Sequence, residues 1–206
     1  MSSDDTQAPF VIAALLAGRL YRMLNTAKTM SISSSNAKCI SIRGGDKTVG
    51  FKPLSDYISD MAKDTISISS KISAIALQFS ITAVNEKRSL SALSDFTQVV
   101  NKLSNQGKKD SLNLVIEKLN NKISFLRQQQ FDYCQTLTLL FDDIAQRIRA
   151  SKIIVINSRT EASRAEEYQS NLFSIADNLE SCSEDIASEI KTCRNYLYYL
   201  KNKIEA

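Results

Sequence analysis

Residues 36–51 read NAKCISIRGGDKTVGF and set Arg43, Asp46, Lys38 and Lys47 around a Gly-Gly pair. Glycine backbone beside lysine could cradle a phosphate. The Gly-x-x-x-x-Gly-Lys-Ser spacing is missing, however, and no strand-like run precedes the glycines, so nucleotide binding is not expected. Two readings remain for the charges. Arg43 can satisfy helix-end carbonyls or pair with a nearby acid, or the charges are displayed at a bend for recognition by a partner.

No histidine occurs anywhere in the chain. That removes His-based triads, His-ligated metals, the ferritin-like Glu-x-x-His di-iron bundle and every phosphohistidine domain. The four cysteines, Cys39, Cys134, Cys182 and Cys193, form no Cys-x-x-Cys pair, so no zinc site is expected. They read as buried free thiols in a reducing compartment. With no activated nucleophile and no ligand cluster, the expectation is a protein that is not an enzyme and carries no cofactor.

Net charge is +4, with acids and bases interspersed, and Trp is absent. Nucleic-acid partners usually need a clustered basic face or stacking platforms, so none is expected. The N-terminal MSSDDTQAPF is acidic, unlike an export signal. The apolar run from Phe10 to Ala17 is too short to cross a bilayer. No membrane span and a cytoplasmic location are therefore expected.

The elements that must position the charges follow from scarcity of breakers. The chain has five Gly and two Pro, and turn signals gather only near 44–53 and in SNQGKKD at 104–110. The uninterrupted segments between them are far longer than strands. TISISSKISAIALQFSITA, residues 65–83, alternates like a strand. Steps of four and three nevertheless carry one apolar seam from Leu54 through Ile58, Met61, Ile68, Ile72, Ile75 and Phe79 to Leu93, Phe96, Val100 and Leu103. Thr65, Thr82, Glu86 and Ser89 are its only polar members. Similar seams run through the other segments. The predicted fold is all-α: helices over 9–44, 52–105, 109–165 and 168–205, paired as two long hairpins in an elongated antiparallel four-helix bundle or coiled coil. Helix two would be on the order of 80 Å long. The organisation is a flexible tail 1–8, a first hairpin 9–105 with its tip near 44–51, and a second hairpin 106–206 with its tip near 165–168.

An offset of 121 residues aligns the two tips. It pairs Asn36 with Asn157, Lys38 with Arg159, Arg43 with Arg164, Asp46 with Glu167 and Asp56 with Asp177. Core positions pair too, Phe51 with Leu172 and Ile58 with Leu179. The spacing predicts an internal duplication.

These bends resemble the signalling tip of methyl-accepting chemotaxis receptors, a helical hairpin reading approximately N-A-x-x-E-A-A-R-A-G-E-x-G-x-G-F. The first bend is similar at Asn36, Ala37, Arg43, Gly45, Gly50 and Phe51, with Asp46 replacing Glu; it departs at Ile40 and Pro53. The second is similar at Asn157, Glu161, Ala162, Arg164, Ala165 and Glu167, and its glycines are replaced by Glu166 and Asn171. The resemblance implies a pseudo-dimer, two receptor hairpins in one chain, monomeric by preference with a homodimer as the other option. It implies a chemoreceptor-like signalling protein whose tip binds a chemotaxis histidine kinase, its coupling adaptor or chemoreceptors. Asn36, Arg43, Asp46, Phe51, Asn157, Glu161, Arg164 and Glu167 would be the protein-binding residues. No methylation site is expected, since Glu166-Glu167 lies at the tip itself. The alternative is a coiled-coil scaffold or interaction module outside chemotaxis.

Overall fold

The computed structural model describes residues 9–103 and 106–205. The expected tail 1–8 lies outside the described residues, as do positions 104–105 of the second break. Four long helices account for nearly all of the rest: α1 (Pro9–Gly44), α2 (Phe51–Lys102), α3 (Gln106–Ala162) and α4 (Gln169–Glu205). Short 3-10 turns, Gly45–Thr48 and Glu166–Tyr168, follow α1 and α3. Among the described residues there is no strand. The all-α four-helix bundle expected from the seams is the observed architecture.

Both prolines sit where a helix tolerates them. Pro9 opens α1 and Pro53 lies in the first turn of α2, where a missing N–H breaks no helical bond. The strand-like serines and threonines of α2 are satisfied within the helix. Thr65, Ser70, Ser73 and Thr82 each donate to the carbonyl four residues back, at 2.8, 3.0, 3.0 and 2.8 Å. Every seam position from Leu54 to Leu103 is buried or half-buried, including the polar ones.

Contacts divide the chain into two compact units that cut across the hairpins, each drawing on all four helices. The division into hairpins 9–105 and 106–206 describes chain order rather than compact units, because the seams of different hairpins close on one another. The first unit, residues 16–73 and 138–195, holds both bends. Its core includes Leu16, Leu20, Met23 and Met30 of α1, Ile58 and Ile72 of α2, Phe141 and Ile144 of α3, and Leu179 and Ile186 of α4. Buried hydroxyls are interleaved with them: Ser34 donates to the Ser55 carbonyl at 2.6 Å, and Ser151 to Ser183 at 2.9 Å.

The second unit comprises residues up to 15, 74–137 and from 196 onward. Ile12, Phe79, Ile123, Leu126, Leu137, Leu197 and Leu200 are buried there. Between 84 and 122 no described apolar side chain is buried. Leu93, Phe96, Val100, Leu112, Ile116 and Leu119 are only half-covered, as in a two-helix coil. At the border of that stretch Glu86 accepts hydrogen bonds from Arg127 at 2.8 Å and from the buried Gln130 at 2.7 Å. Such a polar layer specifies register. α2 also carries an 18-residue window of mean hydropathy 1.2, which by length and composition alone is enough to cross a membrane; 39% of that window is buried in the structure. The expectation of no span rests on the N-terminal run and does not cover α2.

Three of the four thiols are buried, as expected, but Cys39 lies on the exposed face of α1. Burial pushes Cys134 and Cys193 up to about 12, and raises Cys182 as well. At pH 8 only Cys39 should therefore react with iodoacetamide, the other three labelling after unfolding; mass spectrometry of native and urea-treated protein checks this. Phe141→Ala, in the fully covered core, should cost about 3–5 kcal/mol. Phe96→Ala, in the half-covered coil, should cost less than half as much in the same urea titration, because less area leaves water.

Candidate functional site

The two bends repeat one backbone device. Gly45 has φ +52° and Glu166, 121 residues on, has φ +45°; they are the positive-φ residues among those described. A left-handed residue just past a helix turns the chain away from the axis. In the first bend glycine takes this conformation freely. In the second, a glutamate is held there by four successive bonds: Ser163 N–H to Arg159 O, Arg164 to Glu161, Ala165 to Ala162 and Tyr168 to Ala165, at 2.9–3.1 Å. The first bend is closed instead by hydroxyls. Ser41 Oγ donates to Thr48 O at 3.0 Å, and Thr48 Oγ1 donates to Ser41 O at 2.9 Å.

Beneath the bends Ala37, Phe51, Ala162, Ala165 and Leu172 form a fully buried cluster, with Ile40, Tyr168, Phe173 and Ile175 packed on it. The cluster takes side chains from all four helices or their ends, so it locks the two bends side by side. Two contacts cross between them. Lys47 Nζ lies 2.6 Å from Glu166 and 3.8 Å from Glu167; the hydrogen bond to Glu166 raises the lysine's pKa. Glu161 lies against the backbone of Gly50, where any Cβ would fall well inside contact distance of its carboxylate. The matching positions are Ile40 and Asn171, so where the glycine is replaced the carboxylate is replaced too.

Below the bends the equivalence continues in ion pairs of the same span. Lys38 lies 2.7 Å from Asp56, and Arg159 lies 2.7 Å from Asp177 and from Glu180. A hydrogen bond to Lys38 is the main cause that lowers the pKa of Asp56. These groups are largely exposed, so the pairs define geometry more than they stabilise.

The expected binding residues separate cleanly. Asn36, Arg43, Asp46, Asn157, Arg164 and Glu167 are exposed around the bends. Glu161 is half-buried and lies 3.3 Å from Arg164 as well as beside Gly50. Phe51 is fully buried and is a core residue, which corrects its assignment as a presented contact. It stands one seam step before Leu54, so the heptad itself already implied burial. The sequence reading missed Lys47 and Glu166 as the bridge between bends. It also missed Ile42 and Val49, 69% and 64% exposed on the first bend. Their equivalents in the second bend are Ser163 and Ser170. Among the described residues no three Cys, Asp or Glu side chains gather as a metal site. No protein-family model matches the chain, and no match to a curated protein or to a solved structure emerges.

Magnitudes distinguish the glycines. Gly45→Ala forces an L side chain into the left-handed region and should cost about 1–2 kcal/mol in urea unfolding. Gly50→Ala meets only the end of the flexible Glu161 side chain. It should cost less than about 1 kcal/mol, with loss of the native Glu161 position in a crystal structure as the sharper readout.

Proposed function

We propose that this chain is a non-catalytic, chemoreceptor-like signalling protein of the cytoplasm that binds chemotaxis components through its paired bends. One observation carries the reading: the first bend exposes Ile42 and Val49 beside Arg43 and Asp46. Two large aliphatic side chains exposed on one turn and flanked by charge offer a partner apolar contact area and charge together. The similarity of the bends to a receptor tip points to a chemotaxis histidine kinase or its coupling adaptor as partner. The repeated positive φ and the repeated ion pairs at a spacing of 121 residues support a duplicated hairpin, and hence a monomeric pseudo-dimer. Because only the first bend carries Ile42 and Val49, it is the docking bend, and the second buttresses it through Lys47, Glu166 and Glu161.

A second reading, a helical scaffold outside chemotaxis, is favoured by the half-covered seam over residues 84–122, which leaves apolar surface for another coil. Binding to the kinase–adaptor pair of the same organism separates the two. The pathway reading expects association in the micromolar range. It also expects weakening of roughly tenfold or more in Ile42→Glu and Arg43→Ala, with no change in Arg164→Ala. Absence of binding at high micromolar concentration rules that reading out, and a tight homodimer in sedimentation equilibrium rules out the pseudo-dimer.

A further inference from the structure

In the unit that holds the bends, but on the outer face between α3 and α4, lies a groove of about 620 Å³. Its floor is apolar, made by Ile148, Val155, Ala187 and Ile190. Small side chains account for its depth: Ser151 and Ser183 meet at the helix contact, hydrogen-bonded at 2.9 Å, and leave the outer surface hollow. Above this floor stand Arg149 and Lys152 from α3, with Lys191 and Arg194 from α4. Arg149, Lys152 and Lys191 are exposed and make no ion pair among the described residues. Arg194 is held by Asp142 through one terminal nitrogen, yet its Nε–H is buried without an acceptor. Glu184 opposes these cations, while Glu180 is already taken by Arg159.

We infer that this groove docks an amphipathic helix of a protein partner whose apolar stripe is flanked by carboxylates. Charge complementarity selects the sign. The spacing selects a helix over a single fatty carboxylate. Each basic pair repeats at three residues, so it follows one face of its helix for one turn. The Ser151–Ser183 contact fixes the antiparallel register and offsets the two pairs along the groove by roughly 13 Å, at 1.5 Å per residue. One headgroup cannot serve both pairs, whereas carboxylates two to three turns apart on a helix can. Arg194 adds a second cation at the α4 end of the groove. The pattern is also specific to this face. At the positions 121 residues upstream, Arg149 corresponds to Lys28, but Lys152, Lys191 and Arg194 correspond to Ser31, Ser70 and Ser73. A solvated surface kept merely for solubility has no reason to concentrate charge over one apolar groove and serine over its counterpart. This site is separate from the bends and does not rest on their assignment.

The test uses the full-length protein and a fluorescent 18-residue helical peptide with leucines at i, i+3, i+4 and i+7 flanked by glutamates. A twin peptide carries lysines in place of the glutamates. Anisotropy titration should show the acidic peptide binding at least about tenfold tighter than its twin, with affinity falling as ionic strength rises. Ala187→Trp, which fills the groove without changing charge, should abolish binding. The triple variant Arg149→Glu, Lys152→Glu, Lys191→Glu should weaken it at least about tenfold. Both variants are checked for an unchanged urea midpoint. Ile42→Glu at the first bend should leave peptide binding unchanged, so failure here is distinguishable from failure at the bend. Equal binding of the two peptides overturns the proposal. So does indifference to Ala187→Trp, or preferential binding of palmitate or anionic vesicles over the acidic peptide.

Discussion

Burial of five side chains under the bends, Ala37, Phe51, Ala162, Ala165 and Leu172, is the constraint on which the bend-bearing unit depends. Heptad seams alone allow two hairpins to slide by seven residues and still meet apolar with apolar. The cluster removes that freedom, because Phe51 and Leu172 each begin a returning helix and can be buried together only when both bends stand at one level. Small residues opposite them, Ala37 and Ala162 on helices and Ala165 in the second bend, leave room for them. Once the level is fixed, Lys47 meets Glu166 and Glu161 meets Gly50. The same registration pairs Ser151 with Ser183 further along α3 and α4. Exposed ion pairs follow from this geometry and are too weak to impose it.

The helices and their inward faces were legible in the sequence because they rest on local and periodic information. Scarcity of glycine and proline set the helix lengths, and steps of four and three identified the buried stripe, including Thr65, Thr82 and Ser89. The strand-like alternation of residues 65–83 lost to that longer period, and the hydroxyls that favour strands found acceptors one turn back. Helix ends lie within about three residues of the positions expected from the breakers.

What the sequence did not disclose depends on how one hairpin is rotated against the other. Whether Glu161 points to solvent or across to Gly50 is invisible in either segment alone, and so is the pairing of Lys47 with Glu166. Phe51 differs: its place in the tip motif competes with the seam step that joins it to Leu54, and the seam step decides its burial. Cys39 is exposed because it lies off the stripe marked by Ala37 and Ser41, so apolar character alone does not imply burial. The exposed Ile42 and Val49 could have been found by the same test, since both fall outside the seam of their helix or turn.

The two halves of the chain share a backbone design at the bends and differ in what they display. Matched left-handed residues and matched ion pairs keep the geometry of the bends alike. On that common frame the first bend carries aliphatic side chains where the second carries Ser163 and Ser170. The α3–α4 face carries three cations where its counterpart carries serine. These display positions lie outside the buried stripes, so the differences among them do not disturb the core. A bundle whose registration rests on a few small and aromatic residues is free to change its surface on one side at a time. Two identical hairpins from separate chains would lack that freedom, since each substitution would appear on both faces at once. Because the two hairpins of this chain differ in sequence, the first bend carries Ile42 and Val49 and the α3–α4 flank carries a basic groove.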